Sequence, residues 1–230
     1  LHILTAKPDQ FEGMSREAEI TKLPNMIGAP SRSQVLHGES TPSVLHCVPL
    51  GVDEMREHMG VIAATLREVD PAIFVIDVSA EIALLSRIMS VPPITIRMHG
   101  DRSDAGHLAG YEAGVGMLAP FDEAIEQADY PHWARARTFY TGGLCTTKDP
   151  IVPRDEARQS LGLPLDKPIT LVIAGGGGSG TPFAPLTVAA RAEPDALWLV
   201  AGPVHREGHE TDFGNLRELG WVDNLTQYLC

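Results

Sequence analysis

The chain is poor in several features that would place a protein quickly. Its three cysteines, Cys47, Cys145 and Cys230, are scattered over 230 residues. No C-x-x-C pair exists, which speaks against a zinc ribbon and against a disulfide framework. Reduced thiols in a cytoplasmic protein are the expectation. Basic residues are few: 18 Lys and Arg against 30 Asp and Glu, a formal net charge of −12. Neutralising phosphates takes Lys and Arg, so nucleic acid is not an expected partner. The acidity suits a solvated surface. No apolar run approaches the roughly 18 residues of a membrane span, so membrane association is peripheral at most. The opening LHILTAKPDQ has neither a basic n-region nor an apolar h-region of a secretory signal. The nine His residues show no H-x-x-x-H spacing, and no metal site is expected. Short-period repeats and low-complexity tracts are also missing.

What is present is an alternation of strand-like and helix-like segments. The chain opens on Leu1 inside an apolar strand, LHILTA, and closes on VDNLTQYLC, the first turns of a helix. A fragment of a longer chain is the expectation. After a Pro- and Gly-punctuated stretch with a short strand near Ile20, Val52, Met55, Met59, Ile62, Leu66 and Val69 recur at steps of three and four. That spacing predicts one apolar helical stripe with Asp53 as N-cap, ending at Asp70-Pro71. AIFVID (72–77) has the continuous apolar character of a parallel strand buried on both faces. A helix capped by Ser79 follows, then a strand over 94–98, a Gly-bearing, partly helical stretch, and a strand over 138–141. TKDPIVPRD reads as a connector. Beyond it the spacing predicts a short helix stopped at Gly162, a strand over 169–173, a helix over 183–192, and strands over 197–200 and 216–219.

This alternation means an α/β fold of two Rossmann-like domains with parallel sheets. The expected domains are 1–150 and 151–230, the first lacking its opening strand and loop, the second truncated. Ligands of such sheets bind beyond the carboxyl ends of the strands. Those positions hold Asp77, Ser79 and Glu81; His99, Asp101 and Arg102; Gly142 and Gly143; Gly175 to Thr181; and His205 and Arg206. Asp77 reads equally as a base-assisting carboxylate or as part of a helix cap. His99 reads as an acceptor contact, a proton shuttle or a hydrogen-bonded loop residue.

The sharpest feature is IAGGGGSGTP. Gly175, Gly177 and Gly180 fit G-x-G-x-x-G between a strand and a helix. Glycines let backbone N–H groups approach an anion, and the following helix N-terminus favours negative charge. A P-loop requires Lys and then Ser or Thr after the last glycine. Here Thr181-Pro182 follows Gly180, which excludes a nucleoside-triphosphate loop. A dinucleotide fingerprint expects an acid at the end of the next strand. WLVAGPVH carries none there, so the NAD reading weakens without disappearing.

In their order and spacing, DVSAEIALLSRIMSVPPITIRMHG, FYTGGL, RDEARQSLGLPLDKPITLVIAGGGGSG and GWVDNL resemble the inverting nucleotide-sugar glycosyltransferases of the GT-B type. The likeness is to the lipid II-forming N-acetylglucosaminyltransferases and the UDP-glycosyltransferases. The resemblance implies transfer of a hexose-type sugar from a nucleoside-diphosphate sugar to an acceptor hydroxyl, with inversion. The acceptor would be a small molecule or lipid-linked, and neither metal nor cofactor would be required. It implies donor-diphosphate contacts at Gly176, Gly177, Gly178, Ser179 and Gly180, and donor-base contacts at Trp221 and Val222. Ser79, His99 and Asp101 fall on the acceptor side, and Asp77 and His99 are the candidate catalytic groups. The family's first loop, which often supplies the base, would lie upstream of LHILTA, and its acid-bearing ribose motif beyond Cys230. Neither is present, so this piece alone is expected to be inactive. Two other readings stay open: an NAD(P)-binding Rossmann-type enzyme, and a non-catalytic sugar-nucleotide or glycan-binding module.

Overall fold

A computed structural model describes residues 1–14, 16–26, 41–144, 151–175, 180–206, 211 and 213–230. The chain divides into two compact units, residues 1–145 and 146–230.

In the first unit β1 (His2–Thr5) and β2 (Glu19–Lys22) form a parallel pair. Helix α1 (Asp53–Val69) follows the predicted stripe: Met55, Ile62 and Leu66 are buried, and Asp70 ends the helix in a left-handed conformation. Its cap differs from the expectation. Val52 occupies the N-cap position without a side-chain bond, while Asp53 is already helical and pairs with Arg56 at 2.8 Å. An acid in the first turn still faces the positive end of the helix dipole.

Next come β3 (Phe74–Asp77), α2 (Ala80–Ile88), β4 (Pro93–Ile96), α3 (Ala105–Ala113), β5 (Gly116–Ala119), α4 (His132–Ala136) and β6 (Thr138–Tyr140). The four strands form a parallel sheet in the order β3-β4-β5-β6. Sequence reading missed β5, since GMLA is four residues long and opens on glycine. Strand β3 is not buried on both faces as expected. It lies at the sheet edge, with Ile73 and Val75 about half exposed. Its outer edge, unpaired among the described residues, lines with β1 an apolar groove of about 710 Å³ that includes Leu4, Leu66, Phe74 and Asp77. One core cluster joins Leu23, Ile62, Leu66 and Val91; a second joins Tyr111, Met117, Tyr130 and Ala134.

In the second unit α5 (Arg154–Ser160), β7 (Ile169–Ile173), β8 (Thr181–Pro182), α6 (Phe183–Ala192), β9 (Leu197–Ala201), β10 (Val204–His205), β11 (Leu216–Gly220) and α7 (Leu225–Tyr228) follow one another. A parallel sheet runs β11-β9-β7, and β8 and β10 add a two-residue parallel ladder. Strand β9 is the buried centre: Leu199, Val200 and Ala201 are almost wholly excluded from solvent. No helix among the described residues is long and apolar enough to cross a membrane.

Candidate functional site

Polar side chains of the first unit collect beyond the ends of β3 and β4. The chain leaves β3 through Val78, whose φ of +69° puts a β-branched residue in the left-handed region. Such a conformation costs about 1–3 kcal/mol and persists only when its surroundings hold it. Immediately after it, the Ser79 hydroxyl oxygen caps α2 by accepting the Ile82 N–H at 3.3 Å, as the sequence predicts. The same hydroxyl donates to Glu81 Oε2 at 3.0 Å. Glu81 is 8% exposed, and its Oε1 accepts the backbone N–H groups of His46 at 2.5 Å and Cys47 at 3.0 Å. Burial alone pushes its pKa up. The N–H groups of Cys47, Glu81 and His46 and the Ser79 hydroxyl outweigh that and hold it below the usual carboxylate range. Glu81 therefore ties the 41–50 segment to the start of α2.

The same segment delivers the His46 ring to α3. Asp104 is the N-cap of that helix, its Oδ1 accepting the N–H groups of Gly106 and His107 at 3.1 Å each. His46 Nε2 lies 2.7 Å from Asp104 Oδ1, and His107 Nδ1 lies 2.5 Å from Asp104 Oδ2. The two imidazole centroids are 4.2 Å apart. Desolvation opposes the Asp104 charge, but the two imidazoles and the helix N–H groups drive its pKa far below the usual range.

The residues singled out from the sequence take up varied positions around this cluster. Ser79 belongs to it through Glu81. Asp77 instead lines the apolar groove, while its carbonyl accepts the Ser79 N–H at 2.9 Å. His99 Nε2 lies 2.8 Å from the Ile125 carbonyl, and its ring meets Phe121 edge-on. Asp101 is exposed and accepts the N–H and hydroxyl of Ser103 at 3.0 and 2.6 Å; Arg102 reaches only its backbone carbonyl. His46, Asp104 and His107 were not singled out. The signal available was Asp-x-x-His at a helix start; nothing local connects it to a histidine 58 residues before Asp104.

In the second unit Gly176, Gly177, Gly178 and Ser179 lie outside the described residues. Their flanks are described. The Ala174 N–H continues the β7–β9 ladder to the Ala201 carbonyl at 2.8 Å. Gly180 has φ +90°, and a Cβ there would stand 2.5 Å from the Pro203 oxygen, so only glycine fits. The Thr181 N–H is engaged by that same oxygen at 2.9 Å. The β8–β10 ladder thus separates the glycine run from α6, where the sequence suggests a direct passage into helix. Trp221, just past β11, is 71% exposed, and Val222 is half-buried. Arg206 lies over the Phe183 ring at 4.5 Å and pairs with Glu218.

No protein-family model matches this chain, and no curated protein sequence does. Solved structures do match. UGT73P12 of Glycyrrhiza uralensis, complexed with glycyrrhetinic acid 3-O-monoglucuronide, superposes with a TM-score of 0.55 at 12% identity, over 99% of this chain and 64% of that one. UGT89C1 of Arabidopsis thaliana, complexed with UDP, gives 0.53 at 15% identity, over 97% of this chain and 63% of that one. The chain spans less than two thirds of these two structures. The fold is GT-B-like, as the sequence resemblance implies.

Proposed function

We propose that the chain is part of a nucleotide-sugar glycosyltransferase. Residues 151–230 would form a partial donor-binding domain, and residues 1–150 the acceptor-side domain. The observation that carries the reading is the likeness, over 97–99% of the chain, to two UGT structures, one of them holding UDP. The glycine run follows β7 in the sequence, and such folds bind ligands beyond the carboxyl ends of their parallel strands, which supports the reading.

The donor diphosphate would lie on the backbone of Gly176, Gly177, Gly178, Ser179 and Gly180. N–H groups aimed at a departing diphosphate stabilise the charge that develops as the glycosidic bond breaks. The base of the donor would meet the backbone near Trp221 and Val222. Ser79, His99 and Asp101 would contact the acceptor. A general base would take the proton of the acceptor hydroxyl as it attacks the anomeric carbon, giving inversion. Asp77 and His99 are candidates within this chain. The sugar would be of hexose type, the acceptor a small molecule or lipid-linked, and the setting cytoplasmic.

The test is a thermal-shift screen of the complete protein against UDP, GDP, dTDP, their sugar conjugates and NAD. A stabilisation by one nucleoside diphosphate, lost in Gly177→Val, is expected. No shift with any nucleoside diphosphate, or a shift with NAD alone, overturns the reading.

A further inference from the structure

We propose that His46, Asp104 and His107 form a binding site for a first-row divalent metal ion, with Zn²⁺ the best match and a coordination position left open to solvent. This does not rest on the donor reading. Two imidazoles and one carboxylate are a donor set suited to zinc and its neighbours, and three protein ligands leave a tetrahedral ion one position for water.

The geometry is close to what an ion requires. The donor atoms of the three residues all lie within 4.8 Å of one another. Donors on a tetrahedral Zn²⁺ with bonds of about 2.0–2.1 Å stand roughly 3.3 Å apart. Both imidazoles now converge on one carboxylate, each by a hydrogen bond. A cation in their midst would replace the protons of those two bonds. Two neutral rings 4.2 Å apart can share a cation, whereas two imidazolium ions at that spacing repel. Asp104 keeps a ligand atom in reserve. Oδ1 takes the first turn of α3 and the His46 ring, while Oδ2 holds only His107 among the described residues. Because Asp104 already accepts two of the N–H groups at that helix end, the positive pole of α3 is partly offset.

The surroundings support the same assignment. Glu81 anchors the backbone that carries His46: its Oε1 accepts the His46 N–H at 2.5 Å, while the His46 Nδ1 stands 4.0 Å from that oxygen, beyond hydrogen-bond reach. Gly106 matters for a different reason. A Cβ there would fall 2.5 Å from His46 Nε2, the ligand atom itself. The side chains of His46, Asp104 and His107 are 34%, 51% and 12% exposed, so an ion has a way in. The absence of H-x-x-x-H, which argued against a metal, does not bear on a site assembled across this sequence distance.

The test uses the full chain, freed of metal with a chelator and titrated with Co²⁺ and then Zn²⁺. One equivalent of Co²⁺ should bind with the strong visible bands of a four-coordinate ion, and Zn²⁺ should displace it. Asp104→Asn, which keeps a capping oxygen, should weaken binding by about tenfold or more, as should His46→Ala and His107→Ala. Gly106→Ala retains all three ligands but pushes His46 aside, and should weaken binding as well. Failure of the wild type to bind one equivalent overturns the proposal. So does binding that survives in a His46→Ala/His107→Ala double variant, or a thiolate-to-cobalt band placing the ion on cysteine. Should a variant not fold, the wild type still decides. Zn²⁺ must move the ring resonances of His46 and His107 before those of the other histidines, and the reverse order overturns the proposal.

Discussion

The Arg97 guanidinium and the Glu126 carboxylate pair inside the first unit with side-chain exposures of 0% and 1%. Arg97 enters from the end of β4, lies 3.7 Å over the Tyr130 ring and donates to the Thr138 hydroxyl; Glu126 also accepts from the Tyr140 hydroxyl at 2.7 Å. Both charges have left water, so neither can lose its partner without being stranded. Glu126→Ala is expected to destabilise the first unit by about 3–5 kcal/mol. Chemical denaturation followed by near-ultraviolet circular dichroism should show it, with Glu123→Ala, at an exposed position, as the neutral comparison.

The same pair gives the unit an acid limit. Burial raises the Glu126 pKa, but the hydrogen bonds from Arg97 and Tyr140 dominate and hold it below its ordinary value of 4.5. A carboxylate lowered by folding contributes stability above its unfolded pKa and loses it as pH falls through the folded one. Midpoints measured between pH 7 and pH 3 should therefore be steady at first and drop below about pH 4.5. In Glu126→Gln that component of the drop should disappear.

Gly202, just past β9, has φ +97°, and a Cβ on it would lie 2.1 Å from the Ala174 oxygen. The obstacle is backbone at the tip of β7 and cannot swing away. Gly202→Ala should cost the second unit about 1–3 kcal/mol. Gly214→Ala, with open space around its Cβ position, should change stability far less. Paired denaturation curves compare them directly.

Ser79 combines an N-cap with a hydrogen bond to a buried carboxylate. Ser79→Ala should cost about 1 kcal/mol from the cap, with more from the Glu81 oxygen left short of a donor. Ser79→Asp preserves a cap but sets a second charge beside Glu81. It should be worse than alanine, an order that thermal melts can check.

Much of the fold was legible in the sequence because the relevant signals are local. The stripe from Met55 to Leu66, the Ser79 cap and the apolar run of β7 each lie within one element. The exposure of β3 was not legible, because an apolar run looks alike at the centre and at the edge of a sheet. Asp53 shows how closely a capping position and a first-turn position resemble each other in sequence. The polar cluster around the starts of α2 and α3 was half visible. Ser79 drew attention as a cap, yet the partner that gives it meaning, Glu81, is held by the backbone of His46 and Cys47. Pairings such as His46–Asp104 and Arg97–Glu126 join residues 58 and 29 apart, and only the folded chain brings them together.

Two carboxylates, Glu81 and Asp104, between them receive the amides of His46, Cys47, Gly106 and His107. His46 bridges the two groups, its backbone N–H to Glu81 and its ring to Asp104, so lifting the 41–50 segment takes a partner from each acid at once. Protection of the His46 and Cys47 amides in hydrogen exchange then depends on the same opening that frees the His46 ring from Asp104. The segment has no regular secondary structure of its own. Its lifetime in place is borrowed from the first turns of α2 and α3, and it fades when either of them frays.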